Sequence, residues 1–266
     1  DALVIATGAR AEAAVPHAFT FFADREPDGY QWVLRELEGS AVRSIAFVLP
    51  AGVGWPLPLY ELALLTARHA VERGVGELAL TLVTPEDMPL ALFRGAGSAA
   101  VAQLLEGAGI AVETSTYVEA YDGSALTLMP GHRRLDADRV IALPRLVGRS
   151  IPGLPHDNDG FVRVDAEGRV PGCDGVYAIG DATTFPIKQG GLAAQQADIV
   201  AELIAAAAGG AAPRPFPRPN LRAVLFTGSE PLYLTAAITG GVGTASTASR
   251  ECPWWPPHKV AARPLA

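Results

Sequence analysis

The residues best suited to chemistry lie in one stretch, Gly175 to Asp198, which reads GVYAIGDATTFPIKQGGLAAQQAD. An apolar run ends at Gly180-Asp181, a polar loop follows, and Gly190-Gly191 opens an alanine-rich helix. A carboxylate at a strand end can accept hydrogen bonds from ribose or ribitol hydroxyls. Glycines let a backbone approach a ligand closely, and a helix N-terminus aims free N–H groups at electron-rich oxygens. The order suits a polyol-phosphate cofactor. Asp181 is the candidate acceptor; its alternative is a turn residue that caps a local N–H. Gly190 and Gly191, preceded by Lys188 and Gln189, are candidates to face an electron-rich edge. Such a helix end stabilises a nearby anion by about 0.3–1 kcal/mol. Their alternative is ordinary capping beside a surface lysine.

A second glycine pair, Gly52 and Gly54, follows the apolar run Ser44 to Leu49. It is two thirds of a GxGxxG turn. Leu57 stands where the third glycine would be, and Trp55 and Pro56 crowd the turn. The first two glycines of that motif admit a pyrophosphate, and the third permits close helix–strand packing. A nicotinamide dinucleotide would be held here, with Glu86 reaching a ribose 2′-hydroxyl. The alternative is a dinucleotide-type domain that has lost its ligand. No complete GxGxxG occurs in the chain. The histidines show no ligand spacing, and Cys173 and Cys252 form no CxxC pair, which argues against a thiolate metal site or a redox disulfide.

The elements that must position these residues follow an α/β rhythm. Strand-like runs at Leu3–Ala6, Ser44–Leu49, Glu77–Val83 and Ile110–Glu113 alternate with helical periodicity at Gln31–Leu37, Leu59–Arg73 and Ser98–Glu106. Parallel strands need such crossovers, so a doubly wound parallel sheet is expected. Ala125–Met129 and Asp138–Leu143, around Pro130-Gly131-His132, are expected to form an antiparallel hairpin or meander. Further strands are expected at Gly160–Val164, Gly175–Ile179, Leu221–Thr227 and Leu232–Ala237, with a helix ending near Ala208.

Composition bounds the function. The chain is 49% hydrophobic and 18% charged, the profile of a packed globule. Its net charge of −7 argues against a nucleic-acid partner. No run of eighteen apolar residues is present to span a bilayer. Charge is uneven: Pro213 to Ala266 carries six basic and two acidic residues, leaving −11 on the remainder of a chain of net −7. That tail, with Trp254-Trp255, is a candidate for peripheral contact with a membrane surface. The alternative is docking on the acidic body or on a second subunit.

Three landmarks carry a family resemblance. They are Val4-Ile5-Ala6-Thr7-Gly8-Ala9; then Gly153-Leu154-Pro155 with Gly160-Phe161-Val162-Arg163-Val164-Asp165; then Val176-Tyr177-Ala178-Ile179-Gly180-Asp181-Ala182 with Lys188-Gln189-Gly190-Gly191. In this order and spacing the chain resembles the two-dinucleotide-binding-domain flavoproteins, the pyridine nucleotide-disulfide oxidoreductase superfamily. It is most like the branch of sulfide:quinone oxidoreductases, flavocytochrome c sulfide dehydrogenases and type II NADH dehydrogenases.

The resemblance implies a Rossmann-like FAD/NAD(P)-binding three-layer fold, a parallel sheet plus an antiparallel meander. It implies FAD as cofactor, with NAD(P)H as a further ligand at Gly52 and Gly54. Asp181 would accept from a ribitol hydroxyl, while Lys188, Gln189, Gly190 and Gly191 would face the flavin pyrimidine edge. Thr7 and Gly8 would lie on the adenosine or pyrophosphate side; their alternative is a domain-crossing turn. Residues 1–39 would leave the FAD domain, 40–147 form the NAD(P)-type domain, 148–212 complete the FAD domain, and 213–266 make an interface tail. The family's N-terminal FAD-binding GxGxxG is expected ahead of Asp1, which makes the chain a fragment. The function implied is two-electron transfer through flavin from NAD(P)H or a small reductant to an acceptor such as a quinone. The expected setting is a cytoplasmic, membrane-peripheral homo-oligomer. Neither cysteine matches a catalytic position, so sulfide chemistry is disfavoured. The competing reading is a cofactor-free binding module or assembly domain without turnover.

Overall fold

The computed structural model describes residues 1–22, 27–212, 219–239 and 241–255. The chain opens with strands β1 (Leu3–Ile5), β2 (Arg10–Glu12) and β3 (Phe19–Thr20). Helix α1 (Pro27–Glu38), β4 (Ser44–Val48), α2 (Leu57–Glu72), β5 (Ala79–Val83), α3 (Ala96–Gly107) and β6 (Ile110–Glu113) follow. Next come β7 (Tyr117–Tyr121), β8 (Ala125–Met129), β9 (Arg133–Asp136), β10 (Arg139–Ala142) and β11 (Arg145–Val147). The last elements are β12 (Val176–Ala178), α4 (Gly190–Ala207), β13 (Asn220–Leu225), β14 (Leu232–Thr239) and β15 (Val242–Ser249). Arg214, Arg218, Lys259 and Arg263 of the basic tail lie outside the described residues.

Five parallel strands form the centre, in the order β3–β10–β4–β5–β6. β4 reads SIAFV and β5 reads ALTLV, and Phe47, Val48, Leu82 and Val83 are fully buried. Burial on both faces is what a parallel sheet demands of its strands. Each step from β3 through β4 and β5 to β6 moves the same way across the sheet. Right-handed crossovers then place α1, α2 and α3 on one face, where Val33, Leu59, Ala63, Val101 and Leu105 share a core with Phe47 and Leu82. The return from β6 to β10 runs the opposite way and covers the other face. It does so with the antiparallel sheet β7–β8–β9, whose Leu126 and Leu128 bury against Ala46, Val48 and Val140.

Two expectations are corrected here. Helices do not line both faces; the meander takes the second. Asp138–Leu143 is not the hairpin partner of Ala125–Met129 either. β8 pairs with β9, and β10 enters the parallel sheet beside β4. Burial decides between them: Val140, Ile141 and Ala142 need cover on both faces, whereas β9 reads RRLD and stays at the surface.

The chain enters and leaves this domain through adjacent strands, since β2 pairs antiparallel with β11. Outside it, β1 and β12 pair in parallel. The sheet β13–β14–β15 lays one face on the helical layer: Leu221, Ala223, Leu225, Leu232, Leu234 and Ala236 join the same core as Leu57, Leu59 and Phe93. Trp254 packs on Tyr233, with ring centroids 5.5 Å apart.

Leu234 is fully buried, so Leu234→Ala should destabilise the chain by about 2–5 kcal/mol. Denaturant unfolding followed by fluorescence and by far-UV dichroism should show one shifted transition. A separate early transition would mean that the C-terminal sheet unfolds independently of the α/β body.

Candidate functional site

The parallel pairing of β1 with β12 assembles the site. Ile5 stands opposite Ala178, and the Ile179 N–H donates to the Ile5 carbonyl at 2.9 Å. Both strands therefore end at the same edge, so Thr7-Gly8 and Gly180-Asp181 emerge side by side. Ligands of open α/β sheets gather outside the carboxyl ends of strands, because the free N–H groups and loops are there. Thr7 is exposed, and open space surrounds the position a Cβ on Gly8 would take.

Gly180 adopts a φ of +66°, and a Cβ there would meet the Ala193 methyl of α4 at 3.2 Å. Glycine is thus required both by backbone conformation and by contact with the helix. The next residue, Asp181, is half-buried. Burial raises its carboxyl above the usual carboxylate range, and the Lys188 charge opposes that rise. Among the described residues no hydrogen-bond donor engages this carboxylate. The local-cap alternative for Asp181 is therefore not what the chain builds.

Lys188 folds back under the same loop. Its Nζ donates to the carbonyls of Thr183 and Asp181, and stands 3.8 Å from the centroid of the Phe161 ring. Burial pushes its ammonium down to about 8, against the pull of Asp181 and Asp157. The Gly160–Val164 run, expected as a strand, instead makes single bridges from Val162 to His156 and to Thr183. Asp157 turns the chain there by accepting from the Asp159 and Phe161 N–H groups at 3.0 and 2.9 Å. That turn delivers Phe161 beneath Lys188 and leaves no length for a ladder.

Helix α4 begins where the glycines predict. Gln189 is its N-cap: Oε1 accepts from the Leu192 N–H at 2.8 Å, and Nε2 donates to the Arg222 carbonyl at 3.1 Å. The Gln189 amide is committed to the protein itself, which matches its capping alternative. The N–H groups of Gly190 and Gly191 are left at the open end of the helix, and Gly190 is exposed. Gln196 escaped the sequence reading. Its Oε1 accepts from the Gly180 N–H at 2.6 Å and so ties α4 to the Gly-Asp turn. The signal available was an amide pair, Gln195-Gln196, inside a helix built mostly of alanine and aliphatic residues.

The second glycine pair is placed differently. Gly52 is open, but a Cβ on Gly54 would lie 2.5 Å from the Pro186 carbonyl oxygen, and the Lys188 N–H donates to the Gly54 carbonyl at 3.3 Å. Gly54 thus admits the Asp181–Lys188 loop. At the start of α2, Pro56 and Pro58 have no N–H, and the Leu59 N–H is taken by the Pro56 carbonyl at 3.0 Å. Trp55 packs on Phe93 with ring centroids 6.3 Å apart. This turn offers few donors to a pyrophosphate. Glu86 does not face a ribose position: it accepts from Tyr60 Oη at 2.5 Å, Thr84 Oγ1 at 3.0 Å and the Ala91 N–H at 2.8 Å. Burial raises its carboxyl all the same. A cleft of about 360 Å³ remains beyond the carboxyl end of β4, lined by Glu12, Val15, Leu49, Pro50, Tyr117 and Arg145.

A strand-end carboxylate, a glycine-opened helix and a Rossmann-like sheet are the parts of an α/β dinucleotide-binding protein. The chain belongs to the pyridine nucleotide-disulphide oxidoreductase family, which matches residues 1–198. No protein of curated function matches it. Among solved structures it is similar to the sulfide:quinone oxidoreductase of the hyperthermophilic bacterium Aquifex aeolicus, with a TM-score of 0.78 and 18% identity over 94% of this chain and 65% of that one. An NAD-dependent persulfide reductase from A. fulgidus gives a TM-score of 0.58 and 19% identity over 91% of this chain and 45% of that one. LpdA from Mycobacterium tuberculosis gives a TM-score of 0.59 and 15% identity over 89% and 48%. At such identities the likeness is one of fold. The chain spans 65% or less of the length of these proteins.

The placement of Lys188 has a pH signature. Its ammonium titrates near 8 when folded, against 10.5 ordinarily. Between those values the unfolded chain holds the extra proton, so this contribution to stability grows as pH rises and is lost as pH falls through 8. The denaturation midpoint of wild type relative to Lys188→Met should therefore climb between pH 8 and 10.5 and stay level below 8. A flat difference across that range would mean that Lys188 is solvated.

Proposed function

We propose that the full protein is an FAD-dependent oxidoreductase, and that this chain supplies the ribitol and ring side of the flavin site. The observation that carries the reading is Asp181: a half-buried carboxylate at a strand end, without a donor among the described residues, beside the open N-terminus of α4. The residues fit the group. Asp181 offers an acceptor for a ribitol hydroxyl, the Gly190 and Gly191 N–H groups offer donors to the pyrimidine edge, and Lys188 adds a positive charge nearby. Thr7 and Gly8 leave room for close approach on the neighbouring strand. FAD, when bound, supplies two-electron transfer that no side chain provides. The chain's own work is to bind, orient and set charge. A helix N-terminus and an ammonium both favour negative charge on the ligand, which favours its reduced form.

For the electron donor, the proline-rich start of α2 supports a small reductant. NAD(P)H is the second reading, supported by the open Gly52 and by the cleft beyond β4. The acceptor fitting this reading is a quinone. Among the described residues no helix is long and apolar enough to cross a membrane. Contact with a membrane surface would then be peripheral, through the basic tail and Trp255, which is 86% exposed.

Added FAD should bind with quenching of its fluorescence, and Asp181→Asn should weaken binding by roughly tenfold or more, the value of a hydrogen bond to a charged group. Protein that takes up no FAD reverts to the reading of a cofactor-free binding module. Anaerobic NADH and NADPH should leave the flavin absorbance of the full-length protein unchanged; bleaching by either makes the nicotinamide reading the correct one. In flotation with anionic vesicles, the chain should rise with the lipid and stay down when residues 254–266 are removed. Equal behaviour of both would retire the membrane contact.

A further inference from the structure

Three glutamines, the N-cap Gln189 and Gln195 and Gln196 within α4, face different neighbours, and two of them reach the C-terminal sheet. Gln195 Nε2 donates to the Asn220 carbonyl at 2.8 Å, and the Asn220 N–H donates to Gln195 Oε1 at 2.9 Å. The side-chain amide thus pairs with both main-chain groups of one residue, as a neighbouring strand would. Gln189 Nε2 takes the next carbonyl on the same edge, that of Arg222, at 3.1 Å. The Pro219 carbonyl, one residue before Asn220, accepts from the Ile238 N–H of β14 at 2.9 Å, so the main-chain groups of β13 alternate between its ladder partner and the free edge. The edge of β13, which would otherwise present unpaired polar groups, is closed by a helix.

Both amides also grip the first turn of α4. Gln195 Nε2 donates to the Gly191 carbonyl at 3.1 Å, and Gln189 Oε1 accepts from the Leu192 N–H at 2.8 Å. A Cβ on Gly191 would stand 3.0 Å from Gln189 Oε1, so that glycine makes room for the cap. Each glutamine is a bridge with one end on β13 and one end on the turn that carries the Gly190 and Gly191 amides. β13 is itself rigidly held, by its ladder to β14 and by Leu221, Ala223 and Leu225 in the main core.

We propose that Gln195, together with Gln189, is a positioning residue: it fastens the N-terminus of α4 to the edge of β13, so that the C-terminal sheet sets the aim of the Gly190 and Gly191 amides. The consequence for flavin rests on the reading given under Proposed function; the mechanical coupling does not. Covering an edge needs only one polar side chain facing the strand. Two amides that each bond the strand and the helix start make the sheet part of the site.

The test compares wild type with Gln195→Met, which keeps side-chain length and helix propensity, and with Gln195→Ala, each checked for a cooperative thermal transition. Amide hydrogen exchange is read by mass spectrometry in peptides covering 188–196 and 219–226, without flavin. Exchange should rise in both segments. With FAD bound, affinity for the reduced form relative to the oxidised form should fall roughly threefold, within the range of a helix N-terminus. For a two-electron couple that is a drop of about 14 mV in reduction potential. Faster exchange confined to 219–226, with an unchanged potential, would overturn the proposal and leave Gln195 as an edge cover. If wild type binds no FAD, the flavin reading fails, and exchange at 188–196 alone decides whether β13 holds the helix.

Discussion

Three parallel residue pairs, Leu3 with Val176, Val4 with Tyr177 and Ile5 with Ala178, hold the candidate site together. Between β1 and β12 the backbone runs out through β2, builds the whole α/β domain and comes back through β11. Closing so long a loop carries an entropic cost that grows only slowly with its length. The apolar cluster of Ile5, Val162, Val170 and Ala178 offsets it locally. Because the pair is parallel, both strands end on one side. That geometric fact brings the turn at Gly8 to the same sheet edge as the turn at Asp181.

Helix α4 is the second organising member. Its amides divide the labour by direction. Gln196 holds the Gly180 N–H, while Gln189 and Gln195 hold the edge of β13. Neutral amides do this well because each can donate and accept at once, and none adds a charge beside the helix N-terminus. A lysine or glutamate in their place would satisfy one partner and shift the local field. The charge in the site is left to Asp181 and Lys188, both half-buried and both pushed toward their neutral forms by burial.

The central parallel sheet keeps the architecture of a dinucleotide fold, and the turn after β4 packs its second glycine against a neighbouring loop while leaving Gly52 open. Gly54 accommodates Pro186 and Lys188, and Pro56 and Pro58, which carry no N–H, leave few donors at the start of α2. Glu86 satisfies Tyr60, Thr84 and the Ala91 N–H in place of a sugar hydroxyl. The fold is therefore a poor guide to the donor, and the groups actually free to bind are a better one.

What was legible in the sequence was local. The strands Ser44–Val48 and Ala79–Val83 stood out as apolar runs, α2 and α4 by their helical period and their openings, and the Gly180-Asp181 turn by the residue types that a left-handed glycine and a strand-end carboxylate require. Family membership was legible for the same reason, since three short segments in fixed order carry it. Strand partnership was not. β7 and β9 are largely exposed, and whether Asp138–Leu143 joined the meander or the parallel sheet depended on which neighbours could bury Val140 and Ile141. Nor could any pattern say that Gln189 and Gln195 would meet a strand some thirty residues on, or that Glu86 would turn inward. An apolar period declares that a face must be buried, and the tertiary structure alone chooses what buries it. A polar side chain declares that it can donate or accept, and only the folded neighbours decide whether protein or ligand receives the bond.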